Sequence, residues 1–214
     1  MNITRIPGIR GKIQHIWMYY KLWIIGAVVL VWFVSFAVKQ YTTTLKDYWL
    51  YIMFTNTYEN VGGDSDLYDG FLEYAGFDLK EKMLVFDNEA YFKYEKGRGS
   101  RNSYYEAFVA YEETGTLDAI TMQKEYLLNL GATGRLLDLN APQCYKIKEK
   151  YGGKFLYARP IDGGDDVAIG IDISDSLLMT KEHIYDKNDG CVLGIGAHSE
   201  NLESIEMFLD YIYR

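Results

Sequence analysis

Histidine and cysteine are scarce in this chain of 214 residues, which holds three of the first and two of the second. His15, His183 and His198 lie far apart, and no HExxH, CxxC or GxSxG pattern occurs. The signatures of a metalloprotease, a dithiol redox centre and a nucleophile elbow are therefore absent. We read the chain as non-enzymatic, with no cofactor and no metal expected. There is no internal repeat and no low-complexity tract, and 49% hydrophobic with 24% charged residues excludes wholesale disorder. Acid is missing from residues 1–39, where Arg5, Arg10, Lys12, Lys21 and Lys39 give +5. The chain total of −8 leaves −13 for residues 40–214. A domain this acidic repels phosphate backbones, which argues against a nucleic-acid partner and against docking on anionic lipid beyond a tether.

What the chain does have is a long apolar run, Leu22–Val38, with no charge in it. Extended back through Ile16, with Lys21 snorkelling, it reaches about 23 residues, enough to cross a hydrocarbon core of ~30 Å. Trp17, Tyr19, Tyr20 and Trp23 gather at one end as an interfacial belt. The basic flank precedes the run, so the positive-inside rule places the N-terminus in the cytoplasm. The expected organisation is a basic cytoplasmic tail (1–15), a transmembrane helix (16–38), a stalk (39–47) and an extracytoplasmic domain (48–214). The protein is then a single-pass cell-membrane protein whose partner through 16–38 is the bilayer. A cleaved signal peptide is the rival, since Ser35-Phe36-Ala37 offers small residues where a signal peptidase reads. The run's length and its Trp and Phe content favour an uncleaved anchor. No cysteine stands near it to make a lipoprotein. An exported Cys144–Cys191 pair can form one disulfide. Cys191, at the head of an apolar strand, also suits a buried free thiol.

The outer segment alternates strands and helices. Strands are predicted at Tyr48–Thr55, Met83–Asp87, Leu117–Met122, Lys154–Arg159, Val167–Ile173 and Cys191–Ala197, with an extra short one at Ala90–Tyr94 and an extended piece at Leu136–Leu139. Helices are predicted at Leu67–Ala75, closed by Gly76, at Tyr104–Glu113 with Ser103 as N-cap and Glu106 completing a capping box, at Lys124–Leu130, at Pro142–Lys150, at Leu177–Tyr185, and at Glu200–Tyr213 with Ser199 as N-cap. Leu202, Ile205, Phe208, Leu209 and Ile212 stripe the last helix. Several strands are apolar throughout, which predicts an α/β fold with a mostly parallel sheet covered by helices on both faces.

Three local patterns touch on chemistry. Gly194-Ile195-Gly196-Ala197-His198-Ser199 sits where a phosphate-binding turn would, but the third glycine is Ser199, there is no Walker-type lysine, and Glu200 and Glu203 would repel an anion. A tight strand-to-helix turn needing small residues accounts for it. Asp186–Gly190 resembles a calcium loop with its glycine one place early and no closing Glu, which reads as a β-turn. Asp64 with Asp66, and Asp162 with Asp165 and Asp166, read as solvated acidic loops. The chain also has 20 Tyr, 10 Phe and 4 Trp. Tyrosine combines area with a polar tip and suits sugar or peptide recognition, although it also fills cores and surfaces.

The order of segments resembles extracellular solute-binding proteins of the type 2 periplasmic-binding-protein fold. The resemblance rests on Ser103–Gly115 leading into Leu117-Asp118-Ala119-Ile120, on Gly131 and Leu136-Leu137-Asp138-Leu139, and on Val192–Ile195 through Ser199-Glu200-Asn201-Leu202-Glu203 to Phe208-Leu209-Asp210-Tyr211-Ile212. It covers most of residues 48–213. More closely, the chain looks like single-pass Firmicutes proteins whose outer domain is a shortened form of that fold. It departs from the family in having a transmembrane helix in place of a lipid anchor, and in having few residues between Leu139 and Val167, where the second lobe is normally carried. No Trp-rich platform stands there either.

The resemblance implies a solute-binding-like module for a small solute, an oligosaccharide or other carbohydrate, or a peptide. In open α/β sheets ligands sit outside the carboxyl ends of the strands. Those ends are expected to offer Asn56, Thr57 and Tyr58 after the first strand, Asp87 and Asn88 after the second, and Gln123 and Glu125 after the third. The alternative is a non-catalytic accessory subunit that has lost the cleft and binds a transporter permease or another membrane protein.

Overall fold

In the computed structural model the described residues are 17, 20, 21, 23–36, 48–80, 82–181, 184–186 and 188–214. They form two compact units, one within Met1–Lys46 and one over Asp47–Arg214. In the first, residues 23–36 are helical (α1). No helix among the described residues is long and apolar enough to cross a membrane. The expected span of 16–38 includes residues 16, 18, 19, 22, 37 and 38, which lie outside the described residues, as do the tail 1–15 and the stalk 39–47.

In the second unit, β1 (Tyr48–Phe54) is followed by α2 (Asp66–Ala75), β2 (Met83–Asp87), α3 (Ser103–Glu113), β3 (Ala119–Met122) and α4 (Lys124–Gly131). A 3-10 turn at Pro142–Cys144 then leads into α5 (Tyr145–Tyr151), β4 (Phe155–Ala158), β5 (Val167–Asp172), α6 (Leu177–Lys181), β6 (Val192–Ile195) and α7 (Leu202–Ile212). The six strands make one sheet in the order β2-β1-β3-β6-β5-β4. β1 pairs parallel with both β2 and β3, whereas β3–β6, β6–β5 and β5–β4 are antiparallel. The sheet is therefore mixed and not mostly parallel. Apolar runs such as Ala119–Met122 and Val192–Ile195 are buried throughout. That burial reports cover on both faces and carries no direction. Loop 159–166 is too short for a parallel crossover, which takes about a dozen residues or more, so β4 and β5 close as a hairpin.

Alternation along β1 splits the core. Leu50, Ile52 and Phe54 join the cluster with Phe71, Phe86, Ile205, Phe208 and Leu209 beneath α2, α5 and α7. Tyr51 and Met53 join Phe108, Leu127 and Leu130 beneath α3 and α4. The stripe on α7 is the expected one: Ile205, Phe208, Leu209 and Ile212 are buried, and the Phe208 ring lies 5.4–6.2 Å from those of Phe54, Phe71 and Phe86.

Several boundaries differ from the sequence reading. α3 is capped by Asn102, whose Oδ1 accepts from the Tyr104 and Tyr105 amides at 2.7 and 3.4 Å, and not by Ser103. α7 begins at Leu202 with Asn201 in the N-cap position; Ser199 Oγ donates to Asp118 Oδ1 at 2.7 Å and accepts from the Asn201 amide at 3.3 Å. α6 stops at Lys181. Ala90–Tyr94 forms no strand; a bridge between Glu95 and Gly99 closes a small hairpin instead. Cys144 and Cys191 are both buried free thiols.

Candidate functional site

β1 is flanked by β2, which follows it in the chain, and by β3, which follows β2. The connection thus reverses direction across the sheet at the carboxyl ends of β1 and β3, the place where open α/β sheets form a crevice. Thr55 extends β1 by donating its amide to the Thr121 carbonyl at 3.0 Å and its hydroxyl to the same oxygen at 2.8 Å. Asn56 then turns the chain with φ of 57°, a left-handed conformation that asparagine adopts more readily than most residues. Its amide bonds to the Ala90 carbonyl at 3.1 Å.

The Asn56 side chain is held from two sides. Nδ2 donates to the Phe92 carbonyl at 2.9 Å and to Gln123 Oε1 at 3.0 Å. Gln123 Nε2 returns a 3.4 Å bond to the Asn56 carbonyl. Because the Phe92 carbonyl can only accept, the amide nitrogen faces it and Oδ1 faces the other way. Both residues are 7% exposed. Asn56 Oδ1 is buried and accepts no hydrogen bond from any described residue. Such an atom costs about 1–3 kcal/mol. Below the pair, the Tyr185 hydroxyl lies 2.8 Å from Thr121 Oγ1 and donates to the Thr121 carbonyl at 3.0 Å. Complete burial pushes its pKa well above the ordinary value.

Of the seven residues expected at the strand ends, the fold joins Asn56 and Gln123 directly. Thr57 is half-buried beside them and Tyr58 is 67% exposed. Glu125 is exposed on the first turn of α4. Asp87 and Asn88 are occupied by the framework: Asp87 Oδ2 accepts from the Tyr51 hydroxyl at 2.8 Å, and Asn88 donates to Asn60 Oδ1 at 3.0 Å. Sequence reasoning missed Lys93 and Tyr126. The Lys93 ammonium stands 5.4 Å from the Tyr126 ring centre. The Tyr126 hydroxyl, with smaller effects of Tyr91 and Tyr58, raises its pKa. The spacing Tyr91, Lys93, Tyr94 was the available signal.

At the other end of β3 the groups are engaged in holding the fold. Asp118 is fully buried and takes hydrogen bonds from Ser199 Oγ, Asn201 Nδ2 and the Tyr51 amide. Burial raises its pKa and those bonds partly offset the rise. His198 Nδ1 lies 2.7 Å from Glu112 Oε1, and Arg135 bonds Glu112 Oε2 at 3.3 Å. The glycine pattern before α7 is steric, for a Cβ on Gly196 would stand 2.6 Å from the Leu117 carbonyl oxygen. Asp186 Oδ1 accepts from the Asn188 amide at 2.8 Å, as in an Asx turn. No group of three or more metal-ligating side chains occurs among the described residues. His15 and His183 lie outside them. Compared with protein-family models, curated proteins and solved structures, the chain matches none.

Proposed function

We propose that residues 48–214 are a membrane-tethered binding module, similar to a reduced type 2 periplasmic-binding-protein lobe, that holds a small solute, oligosaccharide or peptide at the carboxyl ends of β1 and β3. The observation that carries the reading is the buried Asn56 amide, in a left-handed conformation with Oδ1 unpartnered among the described residues, at the point where the strand order reverses. Because that oxygen is buried, a ligand N–H or O–H reaches it only when the turn at Asn56 and Thr57 opens, and it then gains a hydrogen bond that the protein leaves unmade. The stretch between Leu139 and Val167 adds α5 and β4 to the same unit. Capture would then occur on an open surface, with the tether keeping the module near its membrane partners. The tether reading is supported by α1, where Trp23, Leu30 and Trp32 are 78%, 65% and 67% exposed. A helix apolar on all sides suits lipid.

The test is thermal unfolding of the full chain in an uncharged detergent against sugars, peptides, amino acids and polyamines. A ligand at ~100 times its Kd stabilises by about 2.7 kcal/mol, a rise of roughly 5–10 °C in Tm. Asn56→Gly, which keeps the backbone turn and removes the amide, should abolish that rise. No shift with any class moves the reading to the accessory subunit that binds another membrane protein.

A further inference from the structure

A cleft of about 520 Å³ with mainly apolar walls lies on the face covered by α3 and α4. Its floor is Leu128 of α4 and Ala132 just past the end of that helix; Tyr94 closes one side, and Tyr157 and Ile161 close the other. That volume is within the usual range for small-molecule sites. Both walls are fastened. The Ile161 amide donates to the Ala132 carbonyl at 2.9 Å, pinning the loop after β4 against the end of α4. The Tyr94 wall belongs to the hairpin closed by the Glu95–Gly99 bridge, with Gly97 and Gly99 at φ of 76° and 66°, and its ring lies 5.4 Å from that of Tyr105.

The Tyr94 side of the rim carries the opposite charge to the domain, whereas loop 159–166 on the other side, with Arg159 against Asp162, Asp165 and Asp166, sums to −2. Residues 40–214 sum to −13, yet Lys93, Lys96, Arg98 and Arg101 against Glu95 give the hairpin +3. Lys96 and Arg159 stand at the cleft. Arg98 pairs with Glu95 and Arg159 with Asp166, all exposed. Lys96 and Arg101 form no ion pair among the described residues. The cationic hairpin draws small anions toward the Lys96 side of the cleft. The apolar walls reward a ligand that also has a ring or short acyl body.

We propose that this cleft is a second binding site, for a small organic anion whose apolar body lies against Tyr94, Leu128, Tyr157 and Ile161 and whose phosphate or carboxylate meets Lys96 and Arg159. The proposal stands apart from the strand-end reading and survives its failure.

Phenyl phosphate is the probe, added to the full chain in an uncharged detergent, with unfolding followed by near-UV circular dichroism. The expected result is a saturable rise in Tm of about 3–6 °C at roughly ten times Kd. The rise weakens with added salt. Inorganic phosphate alone and the neutral phenyl glucoside give smaller rises, which separates the contributions of anion and ring. Lys96→Glu on the exposed lip and Ala132→Phe, which fills the floor, each remove the rise, while Asn56→Gly retains it. If Ala132→Phe already lowers the unliganded Tm, Lys96→Glu decides. No rise with phenyl phosphate, a rise that survives Lys96→Glu, or an equal rise with inorganic phosphate overturns the proposal.

Discussion

Asn56 shows how one residue can couple fold and site. Its left-handed turn ends β1, its amide nitrogen ties loop to strand through Phe92 and Gln123, and its oxygen is left over. The sequence pointed to Asn56 and Gln123 as strand-end residues, and their hydrogen bond is a tertiary fact between positions far apart in the chain. Gly196 is a steric counterpart. Gly196→Ala places a methyl 2.6 Å from a backbone oxygen that cannot rotate away. We expect a loss of about 1–3 kcal/mol, read as a fall in the urea midpoint at unchanged m-value. Asp172 sets a pH dependence. Partial burial pushes its carboxyl up, but hydrogen bonds from Ser174 and the Lys124 ion pair outweigh this and hold it below the ordinary 3.8. A carboxyl depressed in the folded state contributes stability that is present above 3.8 and lost as pH falls through the folded value. The advantage of the wild type over Asp172→Asn should be full near neutrality and shrink below pH 3.8.

At the scale of elements, the caps decide where helices begin. Asn102 bonds the Tyr104 and Tyr105 amides and also donates to the Tyr91 carbonyl, so it caps α3 and ties down the loop that follows β2. Asn102→Ala should lower stability by about 1–2 kcal/mol, and hydrogen exchange should quicken in the first turn of α3 and near Tyr91. Ser103 and Asn102 are both capping residues standing side by side. Only the turn of the incoming chain selects between them, so the local pattern could not. α7 was legible because its stripe repeats every three to four residues over several turns. Phe208→Ala, at the meeting of three other phenylalanine rings, should cost about 3–5 kcal/mol in urea unfolding.

For the whole molecule, Asp47–Arg214 forms its own compact unit with a continuous sheet. Residues 47–214 expressed alone should unfold in one cooperative transition, with coincident far-UV and near-UV signals. Both cysteines are free, so the midpoint should be the same with and without reductant; a fall on reduction would reveal a disulfide. The proposed tether predicts that protease added to intact cells digests residues 48–214 and spares an epitope placed before residue 15.

Composition and spacing were enough to give an acidic domain, an apolar N-terminal run, the strand and helix order, and the α7 stripe, because burial periodicity and charge are written locally. Strand direction was not, since Ala119–Met122 and Val192–Ile195 read alike although they run antiparallel. The same holds for the capture of Ser199 by Asp118, the free state of Cys144 and Cys191, the Asn56–Gln123 pair, and the cleft between the Tyr94 hairpin and α4. Each depends on which distant segments meet. That is set by the packing of two apolar faces on one sheet, and no window of neighbouring residues contains it.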